Sequence, residues 1–317
     1  MKTYARLKVL NTQLTQINGP LQLAKDGAPS TDSLNRLGKT VEAGNEEYKS
    51  FDKSLHVFLD KDHSHEHAHA HDHAHTHDHA HTHDHAYTDE HDHGHGEAPC
   101  ALSIIDKVRI SKKAMDITKL EIFNFQTALK LIQTQSQEIV QAGNGEGLNL
   151  PASETLDAAI DTCNVFYGTL EAGSAAAAEL GEQLNQYEKG ELSPEALDEK
   201  LHANGDAMKT ALKEAESIVK AETTNIQQIA TMVTEVLSSV QSAVPEVGEA
   251  LPYGAAIEAA FRDGFIDDAE LQGLNLLASA NGWNRYEQAL QTDLEEILRN
   301  QRPPIDPINP INPTPLS

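Results

Sequence analysis

The sequence is poor in aromatic residues and cysteine, and it has no long apolar run. Aromatic residues account for 5% and hydrophobic residues for 39% of the 317 positions, where globular domains usually contain about 45–50% apolar residues. This composition favours a helical protein with a thin apolar seam over a large globular enzyme. No run of about 18 apolar residues occurs, so we expect no transmembrane segment. The two cysteines, Cys100 and Cys163, are too few for a disulfide framework. We expect reduced thiols, with a single bridge as the alternative.

Basic residues, an export signal and catalytic motifs are also scarce or missing. Lysine and arginine number 24 against 49 aspartates and glutamates, a net charge of −25, so neither nucleic acid nor an anionic membrane is expected as a partner. The N-terminus lacks the apolar core and cleavage site of a Sec signal, which predicts a cytoplasmic protein or export by a non-Sec route. Because no nucleophile elbow, P-loop, dinucleotide fingerprint, HExxH or CxxC motif occurs, we expect no enzyme.

An apolar seam with helical spacing runs through most of the chain. Over residues 100–245 apolar and small residues recur in steps of three and four, which predicts three long helices. With a helix over 31–58 as the fourth, they should form an elongated, antiparallel, coiled-coil-like bundle. Polar residues interrupt the seams, so these surfaces can also be shared between subunits of a homo-oligomer. The longest seam consists of Ala101, Ile104, Val108, Ser111, Met115, Thr118, Ile122, Phe125, Leu129, Ile132, Ser136 and Ile139.

Turn residues set the expected ends of the long helices. The glycine-rich loop 143–147 separates the first from the second, and Gly190 ends the second. Ser193 should cap the third helix and Pro194 should be its first residue. Pro245 is expected to end it, because proline cannot donate a helical hydrogen bond.

Composition divides the chain into five segments of an all-α protein. These are 1–60, the N-terminal helices of the bundle; 61–99, a disordered loop rich in histidine and aspartate; 100–245, the long helices; 250–300, a small helical module; and 301–317, a disordered proline-rich tail.

The loop 61–99 holds fifteen of the seventeen histidines of the chain. Between His63 and His85 every second residue is histidine, in a six-residue repeat of the type HDHAHT. The residues between the histidines include acids but no lysine or arginine. His56 and His202 lie outside this tract, and His202, in an acidic helical segment, is expected to be exposed. The candidate metal ligands are His63, His65, His67, His69, His71, His73, His75, His77, His79, His81, His83, His85, His91, His93 and His95.

These residue types in this pattern point to divalent transition metals. Neutral imidazole is the commonest ligand of borderline metals, and neighbouring carboxylates can complete or orient the shell. Alternate residues of an extended chain lie about 6.6–7 Å apart, so the loop must fold around each ion and the affinity per ion should be modest. At three or four imidazoles per ion, the tract would hold about four or five ions. We expect non-enzymatic binding, buffering or scavenging of zinc or nickel.

Two other interpretations stay open. The chain can be a helical-bundle effector or toxin exported without a Sec signal, in which the tract senses metal or pH, because unperturbed imidazoles titrate near pH ~6.5. It can also be a structural scaffold in which the histidine loop is an incidental repeat expansion.

The sequence DGFIDDAEL, which begins at Asp263, is similar to the second half of an EF-hand calcium loop. Asp263, Asp267 and Glu270 take the fifth, ninth and twelfth positions of such a loop. The first and third positions fall on Ala259 and Phe261, which cannot ligate, so calcium is not expected. A capping box between Asp267 and Glu270 explains the acids equally well.

The whole segment 253–300 resembles the TerB-like helical domains of tellurite resistance, through its acidic-glycine turn and the capped helix with Leu274 and Leu277. The resemblance implies a small helical fold, some of whose members are linked to metal sites. In the tail, residues 303–315 repeat Ile-x-Pro, which favours a polyproline II helix that docks on a protein partner. A disordered tail without a partner is the alternative.

Overall fold

Seven α-helices and no strand make up the regular structure of the described residues, which are 2–66, 98–278 and 282–301 of a computed structural model, with the backbone alone for 61–66. The predicted all-α fold class is confirmed. The tract after residue 66 and the tail lie outside the described residues, so the predictions for them remain predictions. The helices are α1 (Lys2–Gly27), α2 (Thr31–Glu66), α3 (Leu102–Gln141), α4 (Ser153–Glu188), α5 (Pro194–Ala260), α6 (Asp268–Ala278) and α7 (Arg285–Gln301).

Capping residues begin and end the long helices where the sequence predicts. The hydroxyl of Ser193 accepts a hydrogen bond of 3.2 Å from the backbone N–H of Ala196 at the start of α5. Gly143 and Gly190, which follow α3 and α4, adopt left-handed φ angles of 69° and 73°. Glycine tolerates this conformation without strain, and it lets the chain close the last helical turn.

The predicted end of the third long helix before Pro245 is wrong. The helix α5 continues through Pro245 and Pro252 to Ala260. An interior proline costs about 3 kcal/mol, but the apolar seam of α5 runs on across it. Val240 and Val247, on either side of Pro245, are fully buried, and each such side chain contributes about 1.5–3 kcal/mol. Burial therefore outweighs the lost hydrogen bond.

The helices form two compact units that cut across the segments predicted from composition. The long helices α3, α4 and α5 each contribute residues to both. We call one the four-helix unit and the other the terminal unit. Among the described residues, the four-helix unit comprises 28–66, 98–124 and 161–227, and the terminal unit comprises 2–27, 125–160, 228–278 and 282–301.

The four-helix unit is an antiparallel bundle, as predicted. Four pairs of helices are in contact: α2 with α3, α3 with α4, α4 with α5, and α5 with α2. In each pair, the residue numbers of the contacts rise along one helix and fall along the other. Between α4 and α5 the short turn over residues 189–193 favours this arrangement. The pairs are Glu47 with Ser103, Thr40 with Ser111, Asp116 with Ser174, Ala101 with Glu188, Glu179 with Asn204, Gln186 with Lys200, Asn45 with Leu212 and His56 with Asp198.

The seam predicted for the first long helix forms its buried face. All twelve seam residues of α3, from Ala101 to Ile139, are buried. Gly173 of α4 allows a close helix approach, because a Cβ at this position would lie 2.9 Å from the sulfur of Met115 and 3.1 Å from the Cβ of Ala215. The thiol of Cys163 is buried, that of Cys100 is exposed, and both are free.

In the terminal unit, α7 packs against α1 and the last turns of α5. Asp293 of α7 accepts hydrogen bonds from the backbone N–H and the hydroxyl of Thr3. Tyr253 donates a hydrogen bond of 2.6 Å to Gln291 and meets Trp283 edge to face at 5.3 Å. Among the helices of the described residues, none has a segment apolar and long enough to span a membrane.

Candidate metal centre

The two histidines outside the tract, His56 and His202, meet on the surface of the four-helix unit. His56 lies on α2 and His202 near the start of α5, and Asp198 lies between them. Each of the three residues offers one ligand atom, and these atoms lie within 4.8 Å of one another. His202 is exposed, as predicted, but it is not isolated.

The same local pattern positions both histidines. The sequence reads Asp52-Lys-Ser-Leu-His56 on α2 and Asp198-Glu-Lys-Leu-His202 on α5. In a helix, residues four apart share a face, so each aspartate lies beside its histidine. The intervening leucines, Leu55 and Leu201, are 0% and 3% exposed. Their burial fixes the rotation of each helix and leaves each histidine at the edge of the interface.

The carboxylate of Asp198 is the centre of the cluster. Its Oδ1 atom lies 3.3 Å from Nδ1 of His56 and 3.4 Å from Nδ1 of His202. This oxygen is shielded from solvent and accepts no hydrogen bond. A buried acceptor without a donor is costly. A cation bound at this point would satisfy the oxygen.

A backbone oxygen lies beside the ring of His202. Its Nδ1 lies 3.0 Å from the backbone oxygen of Asp198, which can only accept a hydrogen bond. A neutral ring therefore carries its proton on Nδ1 and leaves the lone pair of Nε2 available to a metal. Metal-binding histidines commonly donate their other N–H to a backbone carbonyl or a carboxylate.

His56 has a comparable carboxylate on its far side. Its Nε2 lies 3.7 Å from Oδ1 of Asp52, while Nδ1 faces Asp198. The ring thus stands between two aspartates: one could orient it, and the other could bind the same cation.

The surroundings of the cluster are mostly negative. A cavity of about 160 Å³ beside the two histidines is lined by Asp52 and Asp206, with Lys209 as its cation and Tyr48 at its wall. Burial, followed by the charges of Asp52 and Asp206, raises the pKa of Tyr48 to about 12. The phenol is therefore neutral at physiological pH. Three aspartates around one lysine, counting Asp198, attract a cation.

The donor set suits a borderline divalent metal. Two imidazole nitrogens and one carboxylate oxygen are ligands of zinc, with bonds of about 2.0–2.2 Å that place tetrahedral neighbours about 3.4 Å apart. Nδ1 of His56 and Oδ1 of Asp198 already have this spacing. In His202 the nitrogen near this oxygen is Nδ1, so the side chain, which is 64% exposed, has to turn before its Nε2 can bind the same ion.

The tract is attached to the same unit as the cluster. The backbone of α2 continues from His56 to Glu66, about 15 Å along the helix axis. On the return side, the backbone oxygen of Pro99 accepts a hydrogen bond of 3.4 Å from the hydroxyl of Tyr187. The backbone N–H of Ala101 donates one of 2.6 Å to Glu188.

The predicted ligands of the tract are not brought together by any described contact. Only the backbone of His63 and His65 is described, as the last turn of α2, and His67–His95 lie outside the described residues. The pair His56 and His202 was not predicted as a site. The signal that could have found it is the repeated Asp-x-x-Leu-His sequence on two helices expected to be neighbours.

The acids of the EF-hand-like segment form the predicted capping box. The backbone N–H of Glu270 donates to Oδ1 of Asp267 at 2.8 Å. The backbone N–H of Asp267 donates to Oε2 of Glu270 at 3.0 Å. Both carboxylates therefore satisfy N–H groups at the start of α6. This contact accounts for the two acids without a cation.

Comparisons of the chain with protein families, with curated proteins and with solved structures find no match. The TerB-like and EF-hand resemblances of residues 253–300 therefore remain predictions from the sequence.

Proposed function

We propose that the chain binds divalent transition-metal ions, zinc or nickel first, in the tract from His63 to His95, and buffers or scavenges them without catalysing a reaction. Neutral imidazoles at alternate positions supply many equivalent ligands on a chain that can rearrange around each ion. Such a tract offers capacity and fast exchange.

The distribution of histidine in the chain supports this proposal most strongly. Fifteen of the seventeen histidines lie in the tract, and the other two share the carboxylate of Asp198. Every histidine therefore belongs either to a repeat of potential ligands or to a set of ligand atoms within 4.8 Å of one another. An incidental repeat expansion would not require the second group.

The tract is joined at both ends to the four-helix unit. Both of its attachments, the end of α2 and the segment 98–101, belong to the four-helix unit. Since α2 and α3 are antiparallel neighbours, an insert between them leaves the bundle core intact whatever conformation the insert takes on loading. Metal uptake would then not require the bundle to unfold.

Calorimetric titration of the full chain with Zn²⁺ and Ni²⁺ tests the proposal. The comparison is a full-length variant in which each of the fifteen tract histidines is replaced by asparagine. We expect the native chain to take up about four or five more ions than the variant. Equal uptake by both proteins would refute the proposal and favour the scaffold interpretation.

A second variant separates imidazoles from carboxylates. In this variant all tract histidines are kept, and the eight acids of the tract are replaced by the corresponding amides. The replaced acids are Glu66, Asp72, Asp78, Asp84, Asp89, Glu90, Asp92 and Glu97. We expect it to keep most of the additional uptake, because imidazole is the primary ligand. Loss of all additional uptake in this variant would show that the tract binds through its acids.

A further inference from the structure

The geometry points to a second metal site, separate from the tract, in which His56, Asp198 and His202 bind a single zinc- or nickel-like ion and tie α2 to α5. The inference rests on these three residues and does not require that the tract binds metal.

The donor atoms set the class of cation. Calcium and magnesium prefer shells of oxygen ligands, whereas imidazole nitrogens select borderline metals such as zinc, nickel and copper. The cluster supplies two nitrogens and one oxygen. Three protein ligands leave a fourth position for water, so the ion stays exchangeable.

The unpaired carboxylate oxygen of Asp198 favours the binding of a cation at the cluster. Oδ1 is buried without a hydrogen-bond donor, although two imidazoles face it at 3.3 and 3.4 Å. A cation bound between these groups satisfies the oxygen directly.

The three proposed ligands lie close together in the folded chain. Buried Leu55 and Leu201 hold the two helices in register, so binding has to order only the exposed ring of His202. A tract site must order its own loop at a cost of about 1–2 kcal/mol per residue. The cluster should therefore fill before the tract, and with one ion.

Binding at the cluster should also stabilise the fold. His56 and Asp198 lie on helices that are far apart in the sequence, so the unfolded chain cannot present the same ligand set. An ion that binds the folded state alone raises the free energy of unfolding. The ion would thus link α2, about 15 Å before its end, to the first turns of α5.

The test uses the full chain with all tract histidines changed to asparagine, so that tract binding cannot mask the cluster. With zinc chloride we expect one ion per chain. At a 100-fold excess of free Zn²⁺ over Kd, the melting temperature should rise by about 4 °C. Magnesium chloride at the same concentration should produce no comparable shift.

Adding His202→Asn to this protein should abolish both the bound ion and the thermal shift. The side chain is exposed, so the melting temperature without metal should hardly change. The matched control is Asp161→Asn, an exposed aspartate of α4, which should retain the ion and the shift. An unchanged stoichiometry after His202→Asn, or no bound ion before it, would overturn the inference.

The outcomes also separate this inference from the proposed function. If the native chain binds only the single ion found in the asparagine variant, the tract function fails and the cluster stands. If the native chain binds several ions and the asparagine variant binds none, the cluster fails and the tract function stands.

Discussion

The imidazole rings of His56 and His202 lie edge to face, with 5.1 Å between their centroids and 67° between their planes. They belong to antiparallel helices whose register is fixed by leucines one residue before each histidine. Because that register is set by core packing, the ring contact is a property of the fold. Two histidines that are distant in sequence thereby become neighbours.

Replacing Asn45 by alanine should destabilise the four-helix unit by about 1–3 kcal/mol. Its side-chain amide is buried and donates hydrogen bonds to the backbone oxygen of Leu212 and to Glu216. Alanine removes both of these hydrogen bonds and the packing of a buried polar side chain between α2 and α5. The measurement is denaturant unfolding at pH 7. Asn35→Ala, at an exposed position of the same helix, is the control and should change stability by less than about 0.5 kcal/mol.

The same variant has an expected signature in acid. The hydrogen bond from Lys220, followed by that from Asn45, lowers the pKa of Glu216. A carboxylate with a lowered pKa in the folded state contributes stability above its usual pKa, and this contribution is lost as the pH falls. Asn45→Ala should therefore lose less stability than the native protein between about pH 5 and pH 3. Parallel pH profiles would contradict this coupling.

Alkaline pH should destabilise the protein in part through Tyr48, whose pKa burial raises to about 12 from 10.0. The unfolded chain releases this proton near pH 10 and the folded chain keeps it, so stability is full below pH 10 and falls as the pH rises towards 12. Tyr48→Phe should flatten the decline by roughly 2–3 kcal/mol over that window. Urea unfolding from pH 8 to pH 11.5 measures the slope, and equal slopes would show that Tyr48 does not contribute.

Two glycines of α5 should respond to alanine in opposite ways. A Cβ on Gly254 would overlap the ring of Tyr4, whereas one on Gly248 would meet no atom within 4 Å. Gly254→Ala should lower stability by about 1–3 kcal/mol through overpacking. Gly248→Ala should raise it by about 0.4–1 kcal/mol by restricting the unfolded chain. Thermal unfolding of both variants tests the packing of α1 on α5, and a similar response at both positions would contradict it.

Asp267→Ala should destabilise α6 by about 0.5–2 kcal/mol through loss of its cap. Asp267 accepts the hydrogen bond from the backbone N–H of Glu270. Asp267→Asn should retain most of the stability, because asparagine caps nearly as well. Calcium chloride should not change the melting temperature of the native protein through this segment. A calcium-dependent rise that Asp267→Asn removes would instead support the EF-hand interpretation.

Much of the fold could be predicted from the sequence because its signals are local. The heptad spacing from Ala101 to Ile139 predicts a buried face, and every residue of that seam is buried. Gly190 and Ser193 mark a helix end and a helix start through their own backbone preferences. The error at Pro245 has a physical reason, since a local cost was outweighed by burial of Val240 and Val247.

The cluster could not be predicted with the same ease because it depends on a long-range contact. Seam periodicity gives the buried face of α2 and of α5, but it does not give their relative register. Only the register brings His56 level with Asp198 and His202. The repeat of Asp-x-x-Leu-His is visible in the sequence, yet its meaning appears only when the two helices are paired.

Counting bound ions by native mass spectrometry tests the central claim most directly. The native chain, the chain with the tract histidines changed to asparagine, and that chain with His202→Asn would be loaded with Zn²⁺ at neutral pH. We predict about five or six ions, one ion and none, respectively. The same number of ions on all three proteins would contradict the account, because neither the tract nor the cluster would then bind metal.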